Sequence, residues 1–199
     1  MAAQIRKLAS ADYVRTPWKN GLGETLEIAR ADRPGGAGGF DFDWRISVAP
    51  VTANGPFSTF PGIERTITVV DGHGMDLTFD TGERHLLRPF EPFTYDGGRQ
   101  ISGRLVDGPV GDLNVMTRRG RWASTFAIAE TDALAKTGPT PGCLAILHVL
   151  SGQWRSGAKE AGLQLEPAET LVLALGAEVA LHAIGPGKLA VIHLLPEAG

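Results

Sequence analysis

The sequence of 199 residues has a single cysteine, Cys143, so it cannot form an internal disulfide, and this fits a reducing compartment. No apolar run approaches the roughly 20 residues of a membrane span, and the opening MAAQIRKLAS lacks the apolar core of a signal peptide. The net charge is −3, which argues against nucleic acid as a partner because phosphate binding requires a basic face. We therefore expect a cytoplasmic protein with neither a nucleic-acid nor a membrane partner.

Two common catalytic patterns are also missing. The five histidines are His73, His85, His148, His182 and His193, and no two of them are one residue apart, as a strand-borne two-histidine metal motif requires. His148, His182 and His193 fall on predicted strands and could converge, but we interpret them as core or rim residues. No serine lies in a GxSxG turn. The sequence therefore predicts no metal and no cofactor.

Turn-forming residues are abundant, and helical periodicity is short. The chain has 26 Gly and 13 Pro, scattered between short apolar runs, and the segment 75–79 alternates strictly between apolar and polar residues. The turn signals include Ser151-Gly152 and Gly185-Pro-Gly187. Only residues 129–136 leave open a short helix or an irregular connector. The predicted strands cover 44–51, 66–70, 75–79, 93–95, 101–106, 113–116, 126–129, 144–150, 171–175, 179–183 and 189–195. This pattern indicates an all-β sandwich or barrel.

The second half of the chain echoes the first. The segment 68–72 (TVVDG) resembles 148–152 (HVLSG), and each is followed by an apolar–Pro–acidic step, at 87–91 and at 165–169. Such self-similarity suggests two copies of one β unit, although short strings of this kind also recur by chance. We predict an N-terminal unit at residues 1–136 and a C-terminal half at residues 137–199, packed as one compact domain.

The densest polar cluster is Trp18-Lys19-Asn20, followed by Gly21 and Gly23. Glycines let the backbone approach a ligand, Lys19 can bind a carboxylate, Asn20 can donate and accept, and Trp18 can form a wall. The alternative is a bulged strand with Trp18 in the core.

A second cluster lies on a predicted strand, where Asp43, Arg45 and Ser47 share one face by alternation. A guanidinium there would bind a carboxylate bidentately. An exposed face with an ordinary Asp–Arg pair is the alternative. We add Arg65, which follows the rigid loop 55–62, and Asn114, which alternates with Asp112 and Met116 on another strand.

Four motifs in order carry a family resemblance: WKNGLGET at 18–25, FDWR at 42–45, GPFSTFPGIER at 55–65 and DLNVMTR at 112–118. Together they resemble the HutD/Ves family, closely over about residues 4–130. Leu22 departs from the family, which usually has a third consecutive glycine at that position. The resemblance implies a double-stranded β-helix (cupin) fold of the jelly-roll type, with two cupin-like units forming a compact bicupin. It also implies a link to histidine utilisation or, in the Ves branch, to stress response.

We interpret the protein as a binder of a small anionic acid. The resemblance implies that this acid is N-formylglutamate or a related intermediate of histidine degradation, and that the protein has a regulatory or accessory role. In this hypothesis Lys19 and Arg45 pair with carboxylates, while Asn20, Ser47 and Asn114 fix polar groups. One alternative is a metal-independent cupin isomerase or hydrolase with Asp43 or Glu24 as the general base. Another is a homodimeric interaction module that binds no ligand. A homodimer is also compatible with the binder.

Overall fold

The computed structural model describes residues 5–17, 23–36, 39–131, 135–137, 142–156, 162–174, 177 and 179–197. These residues form strands, one short 3₁₀ turn at Ser10–Asp12 and no α-helix, so the helix considered for residues 129–136 is not observed in their described part. None of the described segments forms a helix with the length and apolarity needed to cross a membrane.

The strands are β1 (Ile5–Leu8), β2 (Val14–Pro17), β3 (Glu24–Asp32), β4 (Phe42–Val51), β5 (Gly55–Pro56), β6 (Ile63–Asp71), β7 (Met75–Phe79), β8 (Arg84–Leu87), β9 (Phe93–Asp96), β10 (Ile101–Leu105), β11 (Val110–Arg118), β12 (Trp122–Glu130), β13 (Ala135–Thr137), β14 (Leu144–Ser156), β15 (Gln164–Leu165), β16 (Thr170–Leu173) and β17 (Val179–Pro196).

The chain divides into two compact units. The N-terminal unit consists of residues 13–122, and the C-terminal unit consists of residues 5–12 together with the described residues from 123 onward. The boundary predicted at residue 136 falls inside the C-terminal unit, because β12 lies beside β17 in the sheet of that unit.

The N-terminal unit contains two sheets. A six-stranded sheet has the order β2-β3-β4-β11-β6-β9, and a four-stranded sheet has the order β5-β10-β7-β8. One apolar core takes residues from both sheets, including Ile67 and Val69 from β6 and Met75, Leu77 and Phe79 from β7. The alternation of residues 75–79 predicted that Met75, Leu77 and Phe79 share one face, and all three side chains lie in this core.

The C-terminal unit is built on a seven-stranded sheet in which β1, β16, β14, β17 and β12 are neighbours in that order, with β13 added to β17 and β15 added to β14. Its core is apolar and includes Leu147, Trp154, Leu165 and Leu171, each fully buried.

Two turns predicted in this unit are not turns, because β14 runs through Ser151-Gly152 and β17 runs through Gly185-Pro-Gly187. The register between these two strands shifts on both sides of Ser151. Gly152 has φ +71°, and a Cβ added there would lie 2.4 Å from the carbonyl oxygen of Pro186. These glycines therefore mark an irregularity where the two strands approach closely, and not chain reversals.

The suspected repeat has matching local geometry in both copies. Phe90 donates its N–H to Val69 O at 2.8 Å, and Ala168 donates its N–H to Val149 O at 2.9 Å. Phe90 and Ala168, each directly after a proline, have positive φ values of 64° and 63°, and among the described residues no other non-glycine residue does. Two turns of the same unusual shape at equivalent positions support two copies of one β unit.

The fold is therefore all-β, as predicted, with two cupin-like units. Each of the three sheets has two edge strands, so none of them closes on itself among the described residues.

Candidate functional site

Polar side chains gather on the face of the six-stranded sheet that also carries the core residues Ile67 and Val69; we call it the inner face. Strand pairing creates it. Arg45 on β4 lies opposite Met116 on β11, Met116 lies opposite Arg65 on β6, and Arg65 lies opposite Tyr95 on β9. Directly opposed residues of antiparallel strands point to the same side of a sheet. With strands about 4.8 Å apart, the Cα atoms of Arg45 and Arg65 are about 10 Å apart across β11.

A second row lies next to the first on the same face. Ser47 on β4 is opposite Asn114 on β11, and Asn114 is opposite Ile67 on β6. Ser47 and Asn114 are only 2% and 3% exposed. The pairing of strands far apart in sequence thus brings four of the eight predicted site residues, Arg45, Ser47, Arg65 and Asn114, onto one face.

Arg65 is the central side chain of this face. It is 5% exposed, and both Nε and Nη2 donate to Oδ1 of Asn114, at 2.8 and 2.6 Å. Three aromatic rings surround the guanidinium: its Cζ is 5.0 Å from the ring centre of Phe57, 5.8 Å from Tyr95 and 6.0 Å from Phe60. Rings at this range favour a cation and fix the orientation of its fork. No described residue accepts a hydrogen bond from Nη1.

Asp112 lies behind Asn114 and completes a chain of three polar groups. Nδ2 of Asn114 donates to Oδ1 of Asp112 at 2.9 Å, and the backbone N–H of Ala49 also donates to this carboxyl group. Asp112 is 2% exposed, and this burial raises its pKa to about 6, although the positive charge of Arg65 opposes the rise. The Asp112 carboxyl group therefore titrates near pH 6.

Arg45 is held by Glu27, and not by an amide as Arg65 is. Its Nε donates to Oε2 of Glu27 at 2.7 Å, and both side chains are about 10% exposed. Among the described residues, Nη1 and Nη2 of Arg45, Oγ of Ser47 and Oη of Tyr95 have no hydrogen-bond partner. Within the described segments, the inner face therefore offers unused guanidinium donors and two hydroxyl groups, each of which can donate or accept.

Asp43 does not join this group, although alternation predicted that it shares a face with Arg45 and Ser47. The register of β3 and β4 shifts at this point, so that Ala31 pairs with Trp44 and Asp32 pairs with Phe42. Both oxygens of Asp43 accept hydrogen bonds from Arg121, at 2.7 and 2.9 Å, and these bonds hold the pKa of Asp43 below its usual value. A carboxylate held in this way is a poor general base near neutral pH.

Three predicted site residues, Trp18, Lys19 and Asn20, lie outside the described residues, as does Leu22. In the sequence they follow β2 and precede β3. Glu24, the other candidate base, forms an ion pair with Arg15.

Glu27, Tyr95 and Asp112 are site residues that the sequence-based selection missed. For Asp112 the signal was present, because it alternates with Asn114 on the predicted strand. Tyr95 and Glu27 come near the other groups only through strand pairing between distant segments.

The histidines of the C-terminal unit do not converge. His148 is buried on β14 with Nδ1 at 2.8 Å from Oγ1 of Thr170, and burial lowers its pKa to about 4. His193 faces Thr125 at 3.3 Å, and His182 is exposed. In the part of the chain that the structure describes, no three His, Cys, Asp or Glu side chains are grouped so that they could hold a metal ion.

Comparison with known proteins gives a consistent result. The HutD family model matches residues 10–191. A 21.2 kDa protein from the hutC 3′ region of Pseudomonas putida is 42% identical over 114 residues, 57% of this chain and 58% of that protein, so the match spans less than two thirds of this relative. Protein Ves of Citrobacter koseri is 37% identical over 146 residues, 71% of each chain.

Three solved structures are similar to this chain in fold. HutD from Pseudomonas fluorescens SBW25 is 31% identical with a TM-score of 0.80, covering 98% of this chain and 100% of that one. YhhW from Escherichia coli, with a TM-score of 0.70 and 8% identity over 98% of this chain and 99% of its own, is similar in fold alone. The same holds for oxalate decarboxylase from Lactobacillus farciminis, with a TM-score of 0.64 and 7% identity over 96% of this chain and 86% of its own.

Proposed function

Because this chain belongs to the HutD family, we propose that it binds a small carboxylic acid on the inner face of its N-terminal unit and serves an accessory or regulatory role in histidine utilisation. The family is associated with the histidine-utilisation gene region. N-formylglutamate or a related degradation intermediate is the ligand class that we propose. The single observation that carries the proposal is the buried Arg65 guanidinium with Nη1 unused beside other unused donors.

The chemistry of the inner face favours an anion rich in acceptors. Three guanidinium groups, those of Arg30, Arg45 and Arg65, lie in one row, and Ser47 and Tyr95 add hydroxyl groups. A hydrogen bond between charged groups contributes about 1.5–3 kcal/mol, and more of this survives where water is largely excluded. A carboxylate can accept from Arg65 and from a neighbouring hydroxyl group at once.

The predicted site residues take different parts in this proposal. Arg65 and Arg45 pair with acidic groups, and Ser47 donates its hydroxyl hydrogen. Asn114 positions Arg65, since its Oδ1 already accepts two hydrogen bonds from that side chain. Trp18, Lys19 and Asn20, which follow β2 in the sequence, remain expected ligand contacts.

The structure of HutD from Pseudomonas fluorescens was obtained in a formate condition, and formate is the smallest carboxylate. We include formate among the probes for that reason. The proposal places the protein in the cytoplasm, gives it no nucleic-acid or membrane partner, and allows a homodimer.

A thermal-shift screen of the metal-stripped protein tests the proposal. The probes are N-formylglutamate, glutamate, urocanate and formate. A ligand at 100 times its dissociation constant stabilises the native state by about 2.7 kcal/mol, which corresponds to a shift of several degrees. We expect the shift to disappear in Arg65→Met, which removes the charge but keeps an apolar stem.

Arg104→Met is the matched control, because Arg104 lies in the same unit and its side chain is 66% exposed beside Asp76. It should keep the full shift. Failure of all four acids to stabilise the wild-type protein would contradict the proposal, and so would an equal shift in Arg65→Met.

A further inference from the structure

We propose that acid binding on the inner face is coupled to protonation of Asp112, so that the protein takes up a proton together with its ligand. This inference rests on the proposed function and adds its dependence on pH. It is carried by the arrangement of Asp112, Asn114 and Arg65. Asn114 connects the buried Asp112 carboxyl group to one side of the Arg65 guanidinium, and Nη1 of that guanidinium is the proposed contact of the ligand.

The geometry connects the two sides of Arg65. Nε and Nη2 point towards Oδ1 of Asn114, whose Nδ2 holds Asp112, while Nη1 has no partner among the described residues. Arg65 is the main charge that compensates the Asp112 carboxylate, because the other two groups bonded to Asp112 are neutral: the Asn114 amide and the backbone N–H of Ala49.

Other ionisable groups near Asp112 have different roles. From β9, Tyr95 is close enough to be influenced by Asp112, and burial raises the pKa of its hydroxyl group, so it stays neutral between pH 5.5 and 8. From β3 and β4, Glu27 forms an ion pair with Arg45 and lies 3.7 Å from Nη1 of Arg30.

The four-stranded sheet contributes mainly apolar residues to this interior, among them Met75 and Leu77. Its ionisable residue on this side is His85, which lies opposite Leu77 on the neighbouring strand and stacks on Phe93 with the rings 3.6 Å apart. Phe93 in turn stacks on Tyr95 at 5.9 Å. His85 is thus an ionisable group of this interior, and the experiment must distinguish it from Asp112.

Charge neutralisation gives the direction of the effect. A bound carboxylate partly neutralises the positive charge of Arg65. Arg65 then stabilises the Asp112 carboxylate less. The pKa of Asp112, about 6 without ligand, rises further when the acid is bound. Between these two pKa values the complex holds a proton that the free protein lacks. By linkage, affinity then increases as pH falls through this interval and becomes constant below the lower value.

Titration calorimetry of the full chain with N-formylglutamate, and separately with formate, tests this coupling. The carboxyl groups of both probes are ionised between pH 5.5 and 8, so they do not contribute protons. Two buffers of different ionisation enthalpy at each pH report the number of protons taken up. We expect uptake of a fraction of a proton, up to one, at pH values above 6, and a dissociation constant that rises by up to about tenfold per pH unit in that range.

Asp112→Asn carries a neutral group of the same shape. It should show no proton uptake and should bind at pH 7.5 about as tightly as the wild-type protein binds at pH 5.5. His85→Gln should keep the uptake of the wild-type protein. The wild-type measurement stands by itself if Asp112→Asn does not fold.

Binding of the wild-type protein without proton uptake overturns the coupling but leaves the proposed function intact. Uptake that persists in Asp112→Asn, or disappears in His85→Gln, also overturns it. If neither acid binds at any pH, the proposed function itself fails, and the coupling fails with it.

Discussion

Protonation of His148 should destabilise the folded protein in mild acid. The imidazole is 4% exposed on β14, and burial lowers its pKa from 6.5 to about 4. As pH falls below 6.5 the unfolded chain binds a proton here that the folded chain does not, so folding stability decreases until pH passes the folded-state value. The full effect is about 3 kcal/mol, and about 2 kcal/mol of it develops between pH 7.5 and 5.

Urea unfolding of the wild-type protein and of His148→Asn at several pH values measures this effect. Asparagine can keep a hydrogen bond to Thr170 but does not titrate. The variant loses ring packing at every pH, so the relevant quantity is the stability difference from the wild-type protein, which should shrink by about 2 kcal/mol between pH 7.5 and 5.

Taking this difference also cancels the opposite contribution of Asp112, whose raised pKa means that the folded state binds a proton before the unfolded state does. His182→Asn, at an exposed position of the same unit, is the matched control variant. A stability difference between wild type and His148→Asn that stays constant from pH 7.5 to 5 would refute the reasoning.

Two further predictions concern packing. Gly103→Ala should destabilise the N-terminal unit by about 1–3 kcal/mol, because the added Cβ would lie 2.6 Å from Phe57 and 2.7 Å from Met75. The control is Gly55→Ala, directly opposite on β5, where an added Cβ meets nothing within 4 Å. This control should change stability by no more than about 0.5 kcal/mol. Equal effects in urea unfolding would contradict this. Trp154→Ala should cost about 3–5 kcal/mol because the side chain is fully buried in the core of the C-terminal unit; a loss below about 1 kcal/mol would show that this core tolerates a cavity.

Alternation and turn chemistry predicted much of the fold. The strand at residues 75–79 follows its apolar period, and the all-β class and the HutD/Ves resemblance are both confirmed. The strand β3 was missed because its sequence, ETLEIARAD, mixes charged and apolar residues without a strict period. The turns predicted at Ser151-Gly152 and Gly185-Pro-Gly187 were wrong because glycine permits both a chain reversal and a close approach of two continuous strands.

The candidate site was predictable only in part, because its geometry depends on register. Alternation predicts that Arg45 and Ser47 share a face, but no local pattern places Arg65 across β11 from Arg45. Asp43 follows the same alternation as Arg45. A register shift between β3 and β4 nevertheless separates it from Arg45 and Ser47, and its carboxylate binds Arg121. Such outcomes depend on pairing between segments tens of residues apart, which local patterns do not encode.

The pairing of β1 with β16 has a consequence for synthesis on the ribosome. Leu8 lies opposite Thr170, so the edge of the seven-stranded sheet joins residues that leave the ribosome far apart in time. At 5–20 residues per second, the interval between them is on the order of 8 to 30 s. All strands of the N-terminal unit are made within that interval, so this unit can fold first, while the segment 5–8 waits unpaired. Nascent chains halted before residue 170 should therefore expose this segment to proteases and chaperones.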